Sequence, residues 1–231
     1  MKLARYLNDF TYYLVAEKGL ARKSIEAYNT DLMNFFKFLE DLGITELKAV
    51  EEIYLMNYMT HLKTEGLSIR SIVRTMVSLR NFFKYAVAEN MIEIDPSAKI
   101  ELPKYWKKLP NYLTTDEVDA LLNSPDEESA YGLRDRAMIE LLYASGLRVS
   151  ELLNLKCEDY DEDVGYIRCR GKGSKERLVP VGQQAREILA RYMSTSRRKL
   201  IGKKNCNYMF LNKFGNSLSR QAFWKKIKQY A

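Results

Sequence analysis

Through the first hundred residues aromatic and aliphatic side chains return every three or four positions, with Tyr28, Leu32, Phe35, Phe36 and Leu39 the clearest set. A stripe at that spacing runs along one side of an α-helix and has to be buried against other helices, because a strand would carry the same residues to both of its faces. Four helices fit the stretch, near 2–17, 22–41, 49–65 and 69–89, parted by the turn signals Gly19, Gly43 and Gly66. The expected product is a compact helical bundle. Arg22, Lys23, Arg70, Arg74 and Arg80 gather at the start of its second helix and along its fourth, where one surface could present several of them; an ordinary solvated helix face is the plainer reading.

The helical period is lost between Asp95-Pro96 and Pro110, a stretch that holds three of the chain's five prolines. Residues 1–95 are thus read as one domain, 96–110 as a linker and 111–231 as a second domain. Thr114-Thr115-Asp116-Glu117 places hydroxyl caps and acids where a helix begins, opening a helical series that runs to about residue 156. From Gly165 to Val181 two β-prone segments flank the turn Gly171–Ser174, which predicts a β-hairpin with Lys172 at its tip. A helix over 183–199, a short strand over 208–211 and a last helix capped by Ser217 or Ser219 complete the expectation.

Several function classes drop out on composition. No apolar run approaches the roughly 18 residues of a membrane span, and Asn8, Asp9 and Thr11 interrupt the N-terminus where a secretory signal would be apolar. A soluble, cytoplasmic protein is expected. Cys157, Cys169 and Cys206 are odd in number and widely spaced, and one histidine is available to join them, so neither a disulfide framework nor a zinc site is indicated. They read as packing residues, with no metal or cofactor implied. Charge points elsewhere: residues 111–163 hold 4 Lys/Arg against 14 Asp/Glu, while 164–231 hold 17 against 2. Solvated surfaces mix their signs, and so steep a division suits a face laid against a phosphate backbone.

Three segments carry chemistry. In Tyr143–Leu155 the lone cation Arg148 precedes Glu151 by three residues, close to one helical turn, so a carboxylate can orient a partly buried guanidinium; a structural ion pair has the same spacing. Lys172 lies between Gly171 and Gly173, which allow a tight turn and close approach to a ligand, although an exposed turn lysine reads the same way. The order of a phosphate-binding loop is absent, which argues against nucleotide binding. The last helix, Ser219–Tyr230, carries Arg220 and Gln221 at its start, suited to reading guanine and adenine edges or simply to solvent.

Taken together, Ala144-Ser-Gly-Leu-Arg-Val-Ser-Glu-Leu152, Gly171-Lys-Gly-Ser-Lys-Glu-Arg-Leu-Val-Pro180 and Leu218-Ser-Arg-Gln-Ala-Phe-Trp224 resemble, in order and separation, the catalytic domain of XerC/XerD-type tyrosine recombinases, XerD most of all. The segments Ser24–Phe38 and Arg74–Phe83 are similar to that family's core-binding domain. The resemblance implies a mainly α protein: an N-terminal SAM-like helical bundle, then a mixed α/β catalytic domain with a small sheet, incomplete at its C-terminus. It also implies DNA cutting and rejoining through a 3′-phosphotyrosine, without metal or nucleotide. In that scheme Arg148 stabilises phosphoryl charge, Lys172 is the general acid and Glu151 positions Arg148. The DNA contacts expected are Lys23, Arg70, Arg74, Lys175, Arg220 and Gln221. The implied partners are a recombination site in double-stranded DNA, identical or sister recombinase subunits and an FtsK-type translocase; the implied role is resolution of chromosome dimers at a dif-type site during cell division.

The resemblance further requires a His-x-x-Arg motif and a nucleophilic Tyr after the last helix. The single histidine is His61, so neither is expected within these residues, and Tyr230 falls on the apolar stripe Phe223, Ile227, Tyr230 instead. That stripe is expected to need a partner surface lying beyond residue 231. A truncated chain that binds DNA without cutting it follows. A mobile-element integrase of the same chemistry, or a non-catalytic DNA-binding protein of this fold, are the alternatives.

Overall fold

The structure, a computed structural model of the chain, describes residues 3–104, 112–171 and 176–231, with the backbone alone at Arg170. It divides into two compact units, Met1–Leu109 and Pro110–Ala231.

The first unit is built on α1 (Arg5–Ala16), α2 (Arg22–Asp41), α3 (Glu52–Thr64) and α4 (Ile69–Ala88). The apolar stripe of α2 delivers Leu32, Phe35, Phe36 and Leu39 to the core, and α4 adds Ile72, Met76, Leu79, Phe82 and Phe83. The rings meet edge to face, Phe10 on Phe82 and Phe36 on Phe82 at 5.4 Å each, an arrangement favoured by the aromatic quadrupole. One charge enters this interior. Asp31 is buried on α2, and its carboxylate accepts from Arg74 Nη1 and Nη2 at 2.7 and 2.8 Å, from Thr75 at 3.2 Å and from Ser78 at 2.7 Å, all on α4.

The stretch expected to be linker from residue 96 starts as part of this unit. Ser97 and Ile100 are buried, the Ser97 backbone N–H and hydroxyl both donate to Asp95, and Arg80 donates to the Ile100 carbonyl at 2.7 Å. Arg80 is therefore turned onto the backbone and does not join the other basic residues on an outer face.

In the second unit Thr114 and Glu117 form a reciprocal cap on α5 (Thr115–Asn123). The central element is α6 (Ala130–Ser145), against which α5, α7 (Val149–Asn154), α8 (Gln183–Arg191) and α9 (Arg197–Ile201) all pack. Because α6 is buried almost all round, its charges are paired inside: Arg134 to Asp135 at 2.6 Å and to the Leu211 carbonyl at 2.7 Å, Arg136 to Glu140 at 3.0 Å. The sheet has one strand more than the expected hairpin: β1 (Tyr160–Asp161), β2 (Tyr166–Arg170) and β3 (Glu176–Pro180), all antiparallel in the order β1-β2-β3. Residues of β2 alternate cleanly, with Ile167 and Cys169 facing the core while Tyr166 and Arg168 face out.

The helix expected over 183–199 runs from α8 to α9 through a π-turn at Tyr192–Ser196. The strand expected over 208–211 does not form; isolated bridges at Lys156–Tyr208 and Leu211–Ser217 stand in its place. Side chains have taken its acceptors: Arg197 donates to the carbonyls of Cys206, Tyr208 and Met209, Tyr192 to Met209 and Arg134 to Leu211.

The last helix, α10 (Arg220–Tyr230), is capped by Ser219, whose hydroxyl accepts from the Ala222 N–H at 3.1 Å. Its stripe already has a partner surface, contrary to the expectation. Phe223 is in the core, Ile227 packs against it, and the Tyr230 hydroxyl donates to Asp135 at 2.8 Å.

Candidate active site and nucleic-acid interface

α6 ends where Gly146 takes the left-handed conformation, φ 59°, and its N–H returns to the Leu142 carbonyl. The chain then buries Leu147 and restarts as α7, with Arg148 at the cap and Glu151 at its third helical position. A carboxylate there bends back to the cap: Glu151 Oε2 accepts from the Arg148 backbone N–H at 2.8 Å and Oε1 from Arg148 Nη1 at 2.9 Å. Spacing thus brings Arg148 and Glu151 together, but their burial is the reverse of the expectation. The Arg148 side chain is 72% exposed and that of Glu151 only 7%. The reason is local, since a cap residue precedes the first turn and projects outward whereas the third position faces the sheet.

A residue that the sequence reading passed over completes the group. Arg177, on β3, donates Nη1 to Glu151 Oε1 at 3.0 Å and Nη2 to Oε2 at 2.8 Å. Its grip, with the bonds from Arg148, outweighs the effect of burial and holds the Glu151 carboxyl at about 2, well below the usual carboxylate value. The ionised carboxylate in turn raises Arg177. Alternation along β3 was the available signal: Arg177 pairs with inward-facing Cys169, and a cation on the inward face of a strand demands an anion.

Two guanidiniums on one carboxylate leave the group with a net positive charge. Among the described contacts Arg148 spends a single side-chain N–H on Glu151, so most of its planar donors face solvent, ready for an anion such as a phosphoryl group. Glu151 also lines a cleft of about 320 Å³ with Ser150, Asn154, Lys156, Arg168 and Cys169. Burial pushes the Cys169 and Cys157 thiols up, away from the thiolate that metal binding or nucleophilic attack would need. Lys172 and Lys175 lie outside the described residues.

Arg220 and Gln221 are exposed in the first turn of α10, with Trp224 61% exposed one turn on and Lys228 placed 5.5 Å over its ring. Tyr230 is unlike a nucleophile. Burial and the bond to Asp135 push its phenol up, and the hydroxyl is engaged inside the unit. Not all of the basic surplus in the last third is free for a partner, because Arg186 and Arg197 spend their guanidiniums on backbone carbonyls. In the first unit Lys23 and Arg70 are exposed in the opening turns of α2 and α4, and Arg74 is half exposed with its fork on Asp31.

Known proteins share this architecture. Residues 111–231 match the phage integrase family and residues 7–90 the phage integrase N-terminal SAM-like domain. Tyrosine recombinase XerD of Halalkalibacterium halodurans is 39% identical over 226 residues, 97% of this chain and 76% of that protein. XerD of Staphylococcus epidermidis is 41% identical over 224 residues, with the same coverage. Among solved structures, a lambda integrase tetramer bound to a Holliday junction superposes with a TM-score of 0.74 over 99% of this chain at 19% identity. The chain spans 62% of that integrase's length. The fold agrees with a mainly α SAM-like bundle followed by an α/β catalytic unit with a small sheet, and the alignments to XerD run through both; this chain belongs to the phage integrase family, as a tyrosine recombinase of the XerC/XerD type.

Proposed function

We propose that the chain belongs to a site-specific recombinase that cuts and rejoins double-stranded DNA through a 3′-phosphotyrosine, and that it supplies DNA binding and part of the active site. In the cleavage step a tyrosine hydroxyl loses its proton as its oxygen bonds to phosphorus, the bond from phosphorus to the 5′ oxygen breaks, and that oxygen takes a proton from the acid. Charge on the non-bridging oxygens is best met by donors already in place, and the leaving oxygen by a positioned acid. Arg148 takes the first role, Lys172 the second, and Glu151 positions Arg148. The observation that carries this reading is the outward-facing Arg148 guanidinium held by a buried carboxylate.

Arg220 and Gln221 read base edges from the first turn of α10, while Lys23, Arg70, Arg74 and Lys175 neutralise phosphates. Lambda integrase, similar in fold and solved as a tetramer bound to a Holliday junction, supports DNA and further recombinase subunits, identical or sister, as partners. Similarity to XerD supports chromosome-dimer resolution at a dif-type site during cell division, in the cytoplasm, with an FtsK-type translocase as a further partner. No histidine follows His61, so the His-x-x-Arg motif is not among these residues; Tyr230 is engaged on Asp135, we read no nucleophile in its place, and the 231-residue chain should bind DNA without cutting it.

A nicked suicide substrate tests the last point: covalent DNA trapped on this chain would overturn it. Titration on cognate and scrambled duplexes tests the contacts. Arg220→Ala should weaken the cognate site selectively, whereas Lys23→Ala should weaken both alike and flatten the salt dependence. Equal weakening by Arg220→Ala would remove its base-reading role.

A further inference from the structure

We infer that Arg177 is a positioning residue of this site: its fork on both oxygens of Glu151 fixes the carboxylate that aims Arg148 at a phosphate. The inference rests on the phosphate-binding role given to Arg148 above.

Each Glu151 oxygen has two donors, one from Arg177 and one from residue 148, whose side chain takes Oε1 and whose backbone takes Oε2. The plane of the carboxylate is therefore set from two elements at once, α7 and β3. Remove Arg177 and Glu151 keeps only its two bonds from residue 148, both from α7, so the carboxylate plane and the Arg148 side chain that shares it are less firmly fixed. Charge works in the same direction. Arg148 and Glu151 alone cancel, whereas Arg177 shares the carboxylate and leaves a net positive charge for an incoming anion. Arg177 is 40% exposed and so close to solvent itself, yet the fork is spent on Glu151, which suits a supporting role better than direct contact. Its strand β3 pairs with β2 in the register Cys169–Arg177, so the bond to Glu151 ties α7 to the sheet.

The test uses the 231-residue chain, inorganic phosphate as the probe, and the Arg148 Nε–Hε resonance as the reporter. In the wild type phosphate should shift that resonance, and Arg148→Gln should abolish the shift. Arg177→Gln should weaken phosphate binding at Arg148 by about tenfold, the scale of one misaligned charge-assisted bond, and raise the Glu151 carboxyl toward its ordinary value. Arg177→Lys keeps the charge but not the planar fork, so it should recover the melting temperature without recovering the affinity. A wild-type phosphate affinity in Arg177→Gln would overturn the inference while leaving Arg148 in its role. Full recovery of affinity by Arg177→Lys would also overturn it, reducing Arg177 to a charge. No response of Arg148 to phosphate in the wild type would remove the Arg148 reading and the inference together.

Discussion

Replacing Asp31 should destabilise the first unit selectively. Its side chain is 5% exposed and accepts four hydrogen bonds from three residues of α4, two of them the parallel N–H groups of Arg74. Asp31→Ala leaves the hydroxyls of Thr75 and Ser78, both buried, without that acceptor, and strips Arg74 of its counter-ion. Breaking a buried pair on one side costs roughly 3–5 kcal/mol. Since the Arg74 side chain is 55% exposed and can turn to water, the low end applies, about 3 kcal/mol. Asp31→Asn keeps the shape but must place an amide N–H₂ against one guanidinium N–H, so about 2 kcal/mol is expected. For a unit near a hundred residues, 3 kcal/mol lowers the midpoint by roughly 12–24 °C. Hydrogen exchange read by mass spectrometry reports each unit separately, and peptides from α2 and α4 should lose protection while those from α6 and α8 keep it. The double variant Asp31→Ala with Arg74→Gln should cost less than the two single changes combined. Protection in α2 and α4 within about 0.5 kcal/mol of wild type would show that the Asp31 cluster does not hold the two helices together.

Three further outcomes are expected. The Glu151 carboxyl is held at about 2 against an ordinary 4.5, so its contribution to stability is complete above the ordinary value and is lost as pH falls toward 2; a gap of about 1–2 kcal/mol between wild type and Glu151→Gln at pH 7, reduced by solvent screening of the exposed arginines, should close across that window in chemical denaturation. A Cβ at Gly132 would lie 1.8 Å from the Asp126 carbonyl oxygen, and Gly132→Ala should therefore lower second-unit stability by at least about 3 kcal/mol in thermal unfolding; a smaller loss would mean that the preceding turn yields. Tyr230→Phe removes the donor to Asp135, which keeps its bonds from Arg134, so amide protection along α10 should drop by roughly three- to tenfold, and unchanged exchange would contradict the latch.

What the sequence disclosed and what it concealed divide along physical lines. The helices of the first unit were legible because the stripe of Leu32, Phe35, Phe36 and Leu39 has one period and one solution, and its ends fall at turns. The pairing of Arg148 with Glu151 was legible because both stand in one helical turn. Which of the two is buried was not, because burial depends on what packs over the turn. Arg177 meets Glu151 across 26 residues, and only strand register, a tertiary fact, joins them. Asp31 sits in a run that reads as core, and no local pattern announces that Arg74 and Ser78, more than forty positions later, will satisfy it. The missing strand at 208–211 is the plainest miss. Tyr208, Met209, Phe210 and Leu211 have the composition of a strand, but a ladder needs carbonyls, and three distant side chains had claimed them.

That claim also has a consequence for how copies of the chain behave beside one another. A β-prone segment with vacant carbonyls at an exposed edge would be a template on which a second molecule's strand could add. Here the Arg197 guanidinium spans the carbonyls of Cys206, Tyr208 and Met209. One arginine thus closes three carbonyls of the row at once, and its loss would open those of Cys206 and Tyr208 while Tyr192 and Arg134 still hold Met209 and Leu211.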